Sequence, residues 1–112
     1  KFGDLEAKAN FYYRLSNTKN ILNQPRNALP YSQRSLHLAR QTGYHEGEAL
    51  ALFTQAQISR KLGDSEMSIA LLKDAKEIAE ANDLIDLIHD ISLIEGNWSQ
   101  NQTNHRRGRL HW

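Results

Sequence analysis

A self-similarity at a spacing of forty residues constrains the fold of this chain more than any other feature. Shifting the sequence by forty positions aligns five identical residues: Gly3 with Gly43, Glu6 with Glu46, Ala9 with Ala49, Leu22 with Leu62, and Ala39 with Ala79. Five further pairs share a residue class: Ser16 with Ala56, Ala28 with Ser68, Leu29 with Ile69, Ser35 with Ala75, and Leu38 with Ile78. Small residues thus recur where helices would approach closely, and bulky residues where they would fill the space between. This pattern predicts a solenoid of helix pairs, each burying its apolar face against its neighbours.

The apolar periodicity predicts helices almost throughout and shows no alternating β-branched run. Proline at position 25 or 30 fits the first turn of the second helix, and Gly43 is a suitable C-terminal cap for that helix. Asp64 or Ser65 is expected to cap the fourth helix. The expected helices are about 4–22, the segment from "NQPRNALP" to 42, about 46–62, about 65–83, and a shorter fifth helix with an apolar stripe at Leu84, Leu87, Ile88, Ile91 and Ile94.

The last part of the sequence has a different character. From Gly96 onward the helical periodicity is lost, which predicts a polar and basic tail or linker over residues 96–112, after a repeat domain over residues 1–95. Since the chain begins with Lys1 and not with methionine, we expect it to be a fragment or a processed chain.

The order of large and small residues resembles that of the tetratricopeptide repeat family. The second helix pair supplies the pattern at Ala49, Leu52, Ala56, Gly63, Asp64, Ser68, Leu72 and Ala75, and the first pair at Tyr12, Leu15, Ser16, Ala28 and Ser35. Departures from the family pattern are Lys19 and Ser59 in place of an aromatic residue, Pro25 and Ser65 in place of a tyrosine, and the absence of the terminal proline. The spacing of forty residues is also longer than the usual repeat of about 34 residues, so the chain resembles the long-repeat variety.

This resemblance implies both an architecture and a class of function. The expected fold is an all-α, right-handed solenoid of two helix pairs and a capping helix. The expected function is a non-catalytic scaffold for protein–protein interaction, forming the sensory or regulatory segment of a larger bacterial signalling protein. A diguanylate cyclase, a histidine kinase or a transcription regulator would carry the output. The chain has no cysteine, which is compatible with the cytoplasm; a signal in a preceding segment would place it in the periplasm.

The resemblance also implies a concave groove that holds a peptide or helix. Its lining is expected to be Tyr13, Asn17, Asn20, Phe53, Gln57 and Arg60. An aromatic ring beside amides suits this role, because amides can satisfy an extended backbone while the ring packs against a side chain. Tyr13 and Phe53 have the alternative role of covering the edge of the core. Tyr13 stands where the carboxylate-clamp subgroup has its first lysine, which disfavours recognition of an acidic C-terminus.

Other classes of function find little support in the residues. No serine lies in a glycine-flanked elbow and there is no glycine-rich phosphate loop, so we expect no enzyme and no cofactor. The five histidines lack metal-ligand spacing, so no metal is expected; they are His37, His45, His89, His105 and His111. "RRGR" at 106–109, near Trp98 and Trp112, is weak evidence for nucleic-acid binding. A nucleic-acid-binding or catalytic helical domain is therefore the alternative. No apolar run is long enough to cross a membrane.

The net charge of +1 conceals a strong asymmetry along the chain. Residues 1–40 carry seven Lys or Arg and two acidic residues, a net +5, whereas residues 41–96 carry four basic and eleven acidic residues, a net −7. The remaining +3 comes from Arg106, Arg107 and Arg109. In a solenoid the +5 and the −7 lie at opposite ends, which predicts a salt-sensitive head-to-tail dimer or contact with a neighbouring domain. A salt-insensitive dimer would instead indicate an apolar interface through Leu84, Leu87, Ile88 and Ile91.

Overall fold

The computed structural model describes the backbone of residues 2–110 and the side chains of residues 3–100. Within this part of the chain there are five helices and no strand. They are α1 (Phe2–Ile21), α2 (Pro25–Thr42), α3 (His45–Lys61), α4 (Ser65–Ala81) and α5 (Ile85–Leu110). The ends of α1 and α3, the starts of α2 and α4, and the starts of α3 and α5 are each forty residues apart. The predicted all-α solenoid with a forty-residue repeat is confirmed.

The same backbone turn follows each of the first four helices. Each turn contains one residue with positive φ, at intervals of twenty residues: Asn23 (59°), Gly43 (68°), Gly63 (90°) and Asp83 (55°). After α3, for example, Gly63 donates its N–H to the Arg60 carbonyl (3.1 Å) and Asp64 donates to the Ser59 carbonyl (2.9 Å). This is the Schellman motif, which satisfies carbonyls that a helix end leaves without partners. It lets connections of two or three residues join neighbouring antiparallel helices.

The caps of α2 and α4 differ. Pro25 begins α2, where a missing N–H costs little, but Pro30 lies inside the helix. Asp64 caps α4 as predicted, since its carboxylate accepts the backbone N–H of Met67 at 3.1 Å.

The predicted positions of close helix approach are buried. The residues are Ala9, Ser16, Ala28, Ser35 and Ala39, and forty residues later Ala49, Ala56, Ser68, Ala75 and Ala79; none is more than 1% exposed. Side chains this small allow neighbouring helix backbones to come into contact. The Ser35 hydroxyl donates to the Ala9 carbonyl at 2.8 Å, which joins α2 directly to α1. The buried serines therefore pack without leaving their hydroxyls unpaired.

The apolar core extends from α2 to the first half of α5. Leu36, Leu52 and Leu72 belong to it, and so do Leu87 and Ile91 of α5. Leu84 and Ile88 are partly buried and pack against it. The expectation that all four residues present a free surface is wrong for Leu87 and Ile91, which are 6% and 0% exposed and face the core. Self-association through an apolar interface here remains a prediction.

The prediction of a short fifth helix is also wrong, because α5 has 26 residues and passes through Gly96 to Leu110. Its apolar spacing continues beyond Ile94 to Trp98, which packs against the core and lies under the Arg60 guanidinium at 4.5 Å. A glycine inside a helix costs only about 1 kcal/mol relative to alanine, less than such packing can supply. Residues 96–112 as a separate tail remain a prediction.

The repeated turns predict a reciprocal effect of two substitutions. Asn23→Gly should raise the free energy of unfolding by about 0.5 kcal/mol, since glycine adopts positive φ without the steric cost that other residues carry. The matched change at the equivalent position, Gly63→Asn, should lower it by a similar amount. Urea unfolding monitored by circular dichroism measures both. Equal effects of the same sign would contradict the assignment of these turns as equivalent.

The contact between Trp98 and Arg60 predicts that Trp98 holds the second half of α5. Trp98→Ala should lower the helical ellipticity at 222 nm and the free energy of unfolding by about 1–2 kcal/mol, through lost packing and cation–π attraction. Trp112→Ala removes the other tryptophan and is the matched control for spectral changes. Helicity that falls equally in both variants would argue against this anchoring role.

Candidate partner-binding groove

The residues expected to line a groove lie on α1 and α3, beside the small buried residues of the same helices. Tyr13 and Asn17 are one helical turn apart on α1, and Phe53 and Gln57 hold the equivalent places on α3. All four side chains are half-buried. The forty-residue repeat therefore places two pairs, each an aromatic ring and an amide, side by side on adjacent helices.

Asn20 does not lie on the groove surface as the sequence analysis expected. It is only 2% exposed, and its Nδ2 donates to Gln57 Oε1 at 3.4 Å. Its backbone carbonyl accepts from Lys61 Nζ at 2.6 Å. Its side-chain Oδ1 is buried and has no hydrogen-bond partner. Asn20 thus supports Gln57 from below and leaves a buried acceptor unpaired, at a cost of about 1–3 kcal/mol.

The two amides of the groove are weakly engaged. Gln57 Nε2 donates to the Phe53 carbonyl at 3.4 Å, and its Oε1 accepts from Asn20 at the same length. Both bonds are longer than the usual 2.9–3.0 Å for such pairs. Asn17 makes no hydrogen bond with any side chain or turn that the structure describes. These amides can therefore donate to and accept from an incoming backbone.

Tyr13 is held in its neutral form. Burial raises the pKa of its phenol, the negative charge of Asp90 raises it further, and Arg14 partly opposes the shift. Asp90 belongs to α5 whereas Tyr13 belongs to α1, so the charge that acts on this phenol comes from a different helix. A neutral phenol keeps its hydroxyl as a hydrogen-bond donor at neutral pH.

The remaining two residues divide between the core and a neighbouring cleft. Phe53 packs against the core, so its ring has a structural role besides any contact with a partner. Arg60 turns towards Trp98 and lines a cleft of about 560 Å³ between α4 and α5. Asn20 thus joins α1 to Gln57 of α3, and Arg60 lies to one side at Trp98. A groove formed by Tyr13, Asn17, Phe53 and Gln57 remains a prediction.

The sequence analysis missed the contribution of α5. Forty residues after Tyr13 is Phe53, and forty residues further is Leu93, which is 58% exposed. Leu93 is therefore the third equivalent position. The same spacing leads from Asn10 to Asp90. Asp90 also borders a pocket of about 230 Å³ that contains Glu46, Leu50, Leu84, Ile85, Asp86 and Leu87. The repeat spacing could have found this third row, but the fifth helix was treated only as an apolar cap.

Two further findings concern the described residues alone. They hold no group of three or more His, Cys, Asp or Glu side chains that could bind a metal ion. None of the helices there has the length and apolar character needed to cross a membrane. The chemistry that the groove does offer is non-covalent: aromatic surface beside donors and acceptors of hydrogen bonds.

Comparison with known proteins gives one match. A family model described as tetratricopeptide repeat matches residues 8–81, which is more than half of the chain. The matched segment runs from α1 to α4 and includes all six residues expected in the groove. Searches of curated proteins and of solved structures returned no significant match.

The raised pKa of Tyr13 predicts a loss of stability in alkali. Because the folded-state pKa lies above the unfolded value, the contribution of Tyr13 to stability is complete below the unfolded pKa of about 10 and is lost as the pH rises through the folded pKa. Tyr13→Phe should therefore reduce the fall in unfolding free energy above pH 10. Urea unfolding at pH 8–11 measures this. Tyr31→Phe is the control, and equal profiles for the two variants would refute the prediction.

Proposed function

Because the chain belongs to the tetratricopeptide repeat family, whose repeats generally mediate contacts between proteins, we propose that its groove binds an extended peptide or a single helix of a partner protein. The observation that carries this proposal is the alignment of the Tyr13–Asn17 pair with the Phe53–Gln57 pair on adjacent helices. The function is binding, without catalysis in this chain.

The hydrogen-bonding state of the groove supports a peptide ligand. Asn17 and Gln57 are both half-buried. The side chain of Gln57 makes only long hydrogen bonds and that of Asn17 makes none with a described residue, so new hydrogen bonds to a ligand backbone would cost little. If Gln57 turns towards the ligand, the amide of Asn20 becomes free to rearrange, and its unpaired Oδ1 can gain a donor. Tyr13 and Phe53 supply rings against which a partner side chain packs.

The charges along the groove favour one orientation of the ligand. Glu46, Asp86 and Asp90 border the pocket between the beginnings of α3 and α5, which has Leu50 and Ile85 as apolar neighbours. A basic side chain with an aliphatic stem fits this end, since its stem can pack while its charge faces the carboxylates. We therefore favour a peptide with lysine or arginine at the end that lies near α5.

We further propose that the module regulates the output of a larger bacterial signalling protein. The support is the resemblance of its forty-residue repeat to the long-repeat variety of the family. The output domain would be a diguanylate cyclase, a histidine kinase or a transcription regulator, in a cytoplasmic protein or in one with a periplasmic sensory part. The full reading frame tests this proposal, and a frame that encodes no such domain would refute it.

Peptide binding can be tested without knowing the natural partner. A displayed library of random peptides can be selected for binding to the purified chain. We expect the selected peptides to contact the groove. Gln57→Ala should weaken their binding about 2–10-fold, the value of one hydrogen bond of about 0.5–1.5 kcal/mol, and Tyr13→Ala should weaken it at least as much. Fluorescence anisotropy with labelled peptides gives the dissociation constants.

The control is an amide elsewhere on the chain. Gln33 is exposed on α2, and Gln33→Ala should leave the affinity unchanged. NMR spectra of the ¹⁵N-labelled chain should show the side-chain amide signals of Asn17 and Gln57 shifting with peptide, whereas that of Gln33 stays in place. Selected peptides that bind the Gln57→Ala and Tyr13→Ala variants as tightly as the parent chain would show that the groove is not the binding site.

A further inference from the structure

The depression between α1 and α2 is an aromatic and basic surface, here called the N-terminal face. Its volume is about 450 Å³, and it is lined by Leu5, Ala7, Lys8, Phe11, Tyr12, Arg34 and Leu38. Phe11 is 61% exposed, so a large apolar ring faces the solvent. The charged residues among those that line the face are Lys8 and Arg34, which are both cations. The face therefore combines exposed apolar area with positive charge.

The internal repeat shows the same face in a covered form. Forty residues later, on α3 and α4, the seven positions form what is here called the second-repeat face: His45, Gly47, Glu48, Ala51, Leu52, Asp74 and Ile78. Ala51 is 0% exposed, whereas Phe11 at the equivalent position is largely exposed. Gly47 and Leu52 are buried as well. The two faces are thus equivalent in position but differ in what covers them.

Helix α2 and the turn after it cover the second-repeat face. Arg40 of α2 donates from Nε to Glu48 Oε2 at 3.0 Å. The Tyr44 ring lies directly against Gly47, where a larger side chain would clash with it. Leu36 of α2 also belongs to the same apolar core as Leu52. An α-helix is therefore the kind of element that this face accepts.

The charges of this internal contact are complementary. Helix α2 has three arginines and no acidic residue, and the second-repeat face that it covers has the carboxylates of Glu48 and Asp74. On the N-terminal face, Lys8 takes the place of Glu48 and Arg34 takes the place of Asp74. Both signs are reversed. A helix that lies on the N-terminal face should therefore be acidic where α2 is basic.

Phe11 is the main difference in shape between the two faces. Its ring lies edge-on to that of Tyr12, with centroids 5.5 Å apart. Tyr12 in turn stacks on Tyr31, and the Arg34 guanidinium lies 5.6 Å from its ring. An exposed aromatic ring whose neighbours are held in place is typical of the anchors at contacts between separate proteins. The alanine at position 51 suits close packing within one chain, so we favour a separate protein as the source of the helix.

We propose that the N-terminal face binds an acidic amphipathic helix of a partner protein, in the way that the second-repeat face binds α2. One acidic side chain of that helix would meet Lys8, as Arg40 meets Glu48, and another would meet Arg34. Its apolar stripe would cover Phe11, with a small residue opposite the ring. None of the residues that line this face is among the six expected in the partner-binding groove, so the two sites are separate.

A displayed library of helices of eighteen residues, the length of α2, tests this proposal without a known partner. The library is selected on the 112-residue chain, and helices that also bind a Phe11→Ser variant are removed. The enriched helices should be acidic and should have a small residue within the apolar stripe. Enriched helices that are basic or uncharged would refute the proposal, and so would a selection that yields no helix dependent on Phe11.

Charge reversal then locates the site. Lys8→Glu and Arg34→Glu should each weaken a selected helix about tenfold, because each change turns an attraction into a repulsion. Arg26→Glu is the matched control and should leave the affinity nearly unchanged, since Arg26 is exposed on α2 but does not line the N-terminal face. Fluorescence anisotropy gives the dissociation constants, and circular dichroism shows that each variant is folded. Equal losses in all three variants would contradict the site.

Exchanging the charges of both partners gives a sharper test. A selected helix whose acidic residues are replaced by lysine should not bind the parent chain. It should bind the double variant with Lys8→Glu and Arg34→Glu. Failure of the double variant to recover binding would contradict direct pairing of these charges. Gln57→Ala should leave all of these affinities unchanged, so this proposal and that of the peptide groove can fail independently.

Other occupants of the face give different results. Self-association of the chain that is lost in Phe11→Ser would identify a second copy as the occupant, which sedimentation velocity at low salt detects. A labelled oligothymidylate that binds more tightly than any selected helix would identify nucleic acid. A longer form of the polypeptide that fails to bind the selected helices would indicate that one of its own segments covers the face. Each of these three results would overturn the proposal of a partner helix.

Discussion

The close approach of helix backbones at small residues is the contact on which the rest of this structure depends. Ser35 and Ala9 represent it best, because a side-chain hydroxyl of α2 reaches a backbone carbonyl of α1 at 2.8 Å. An approach this close leaves no room for larger side chains on the facing surfaces. Bulky groups are consequently found beside these contacts, as with Leu52 in the core and the half-buried Tyr13. The proposed groove would thus be a consequence of how the helices pack.

The fold could be predicted from the sequence because its determinants are local and repeated. A small residue such as Ala28 or Ala75 identifies a contact surface whatever its partner is, and the turns at Gly43 and Gly63 follow from their immediate neighbours. Each of these local signals also occurs a second time, forty residues away, which strengthens the prediction. Helix existence and pairing therefore needed no knowledge of distant contacts.

The errors concern side chains whose positions depend on distant residues. Asn20 is buried because Gln57 and Lys61, from the next repeat, bond to its side chain and carbonyl. Trp98 lies within α5 and has the Arg60 guanidinium of α3 against its ring. From the sequence alone, a polar asparagine is predicted to be exposed and a polar segment that contains glycine is predicted to lie outside a helix. Such residues link one repeat to the next, and periodicity within a repeat does not reveal their partners.

The identical turns have a consequence for how a chain of this kind can change in length. Left-handed residues at Asn23, Gly43, Gly63 and Asp83 divide the chain into twenty-residue lengths with the same backbone at each junction. Gene duplication or deletion of forty residues would join one such turn to an equivalent one and preserve the alternation of helices that line the groove with those that back it. A change of twenty residues would close the turn equally well but exchange the two roles. The backbone turns would therefore be compatible with a change of twenty or of forty residues. Only a change of forty residues would keep the side chains of the proposed groove on the same helices.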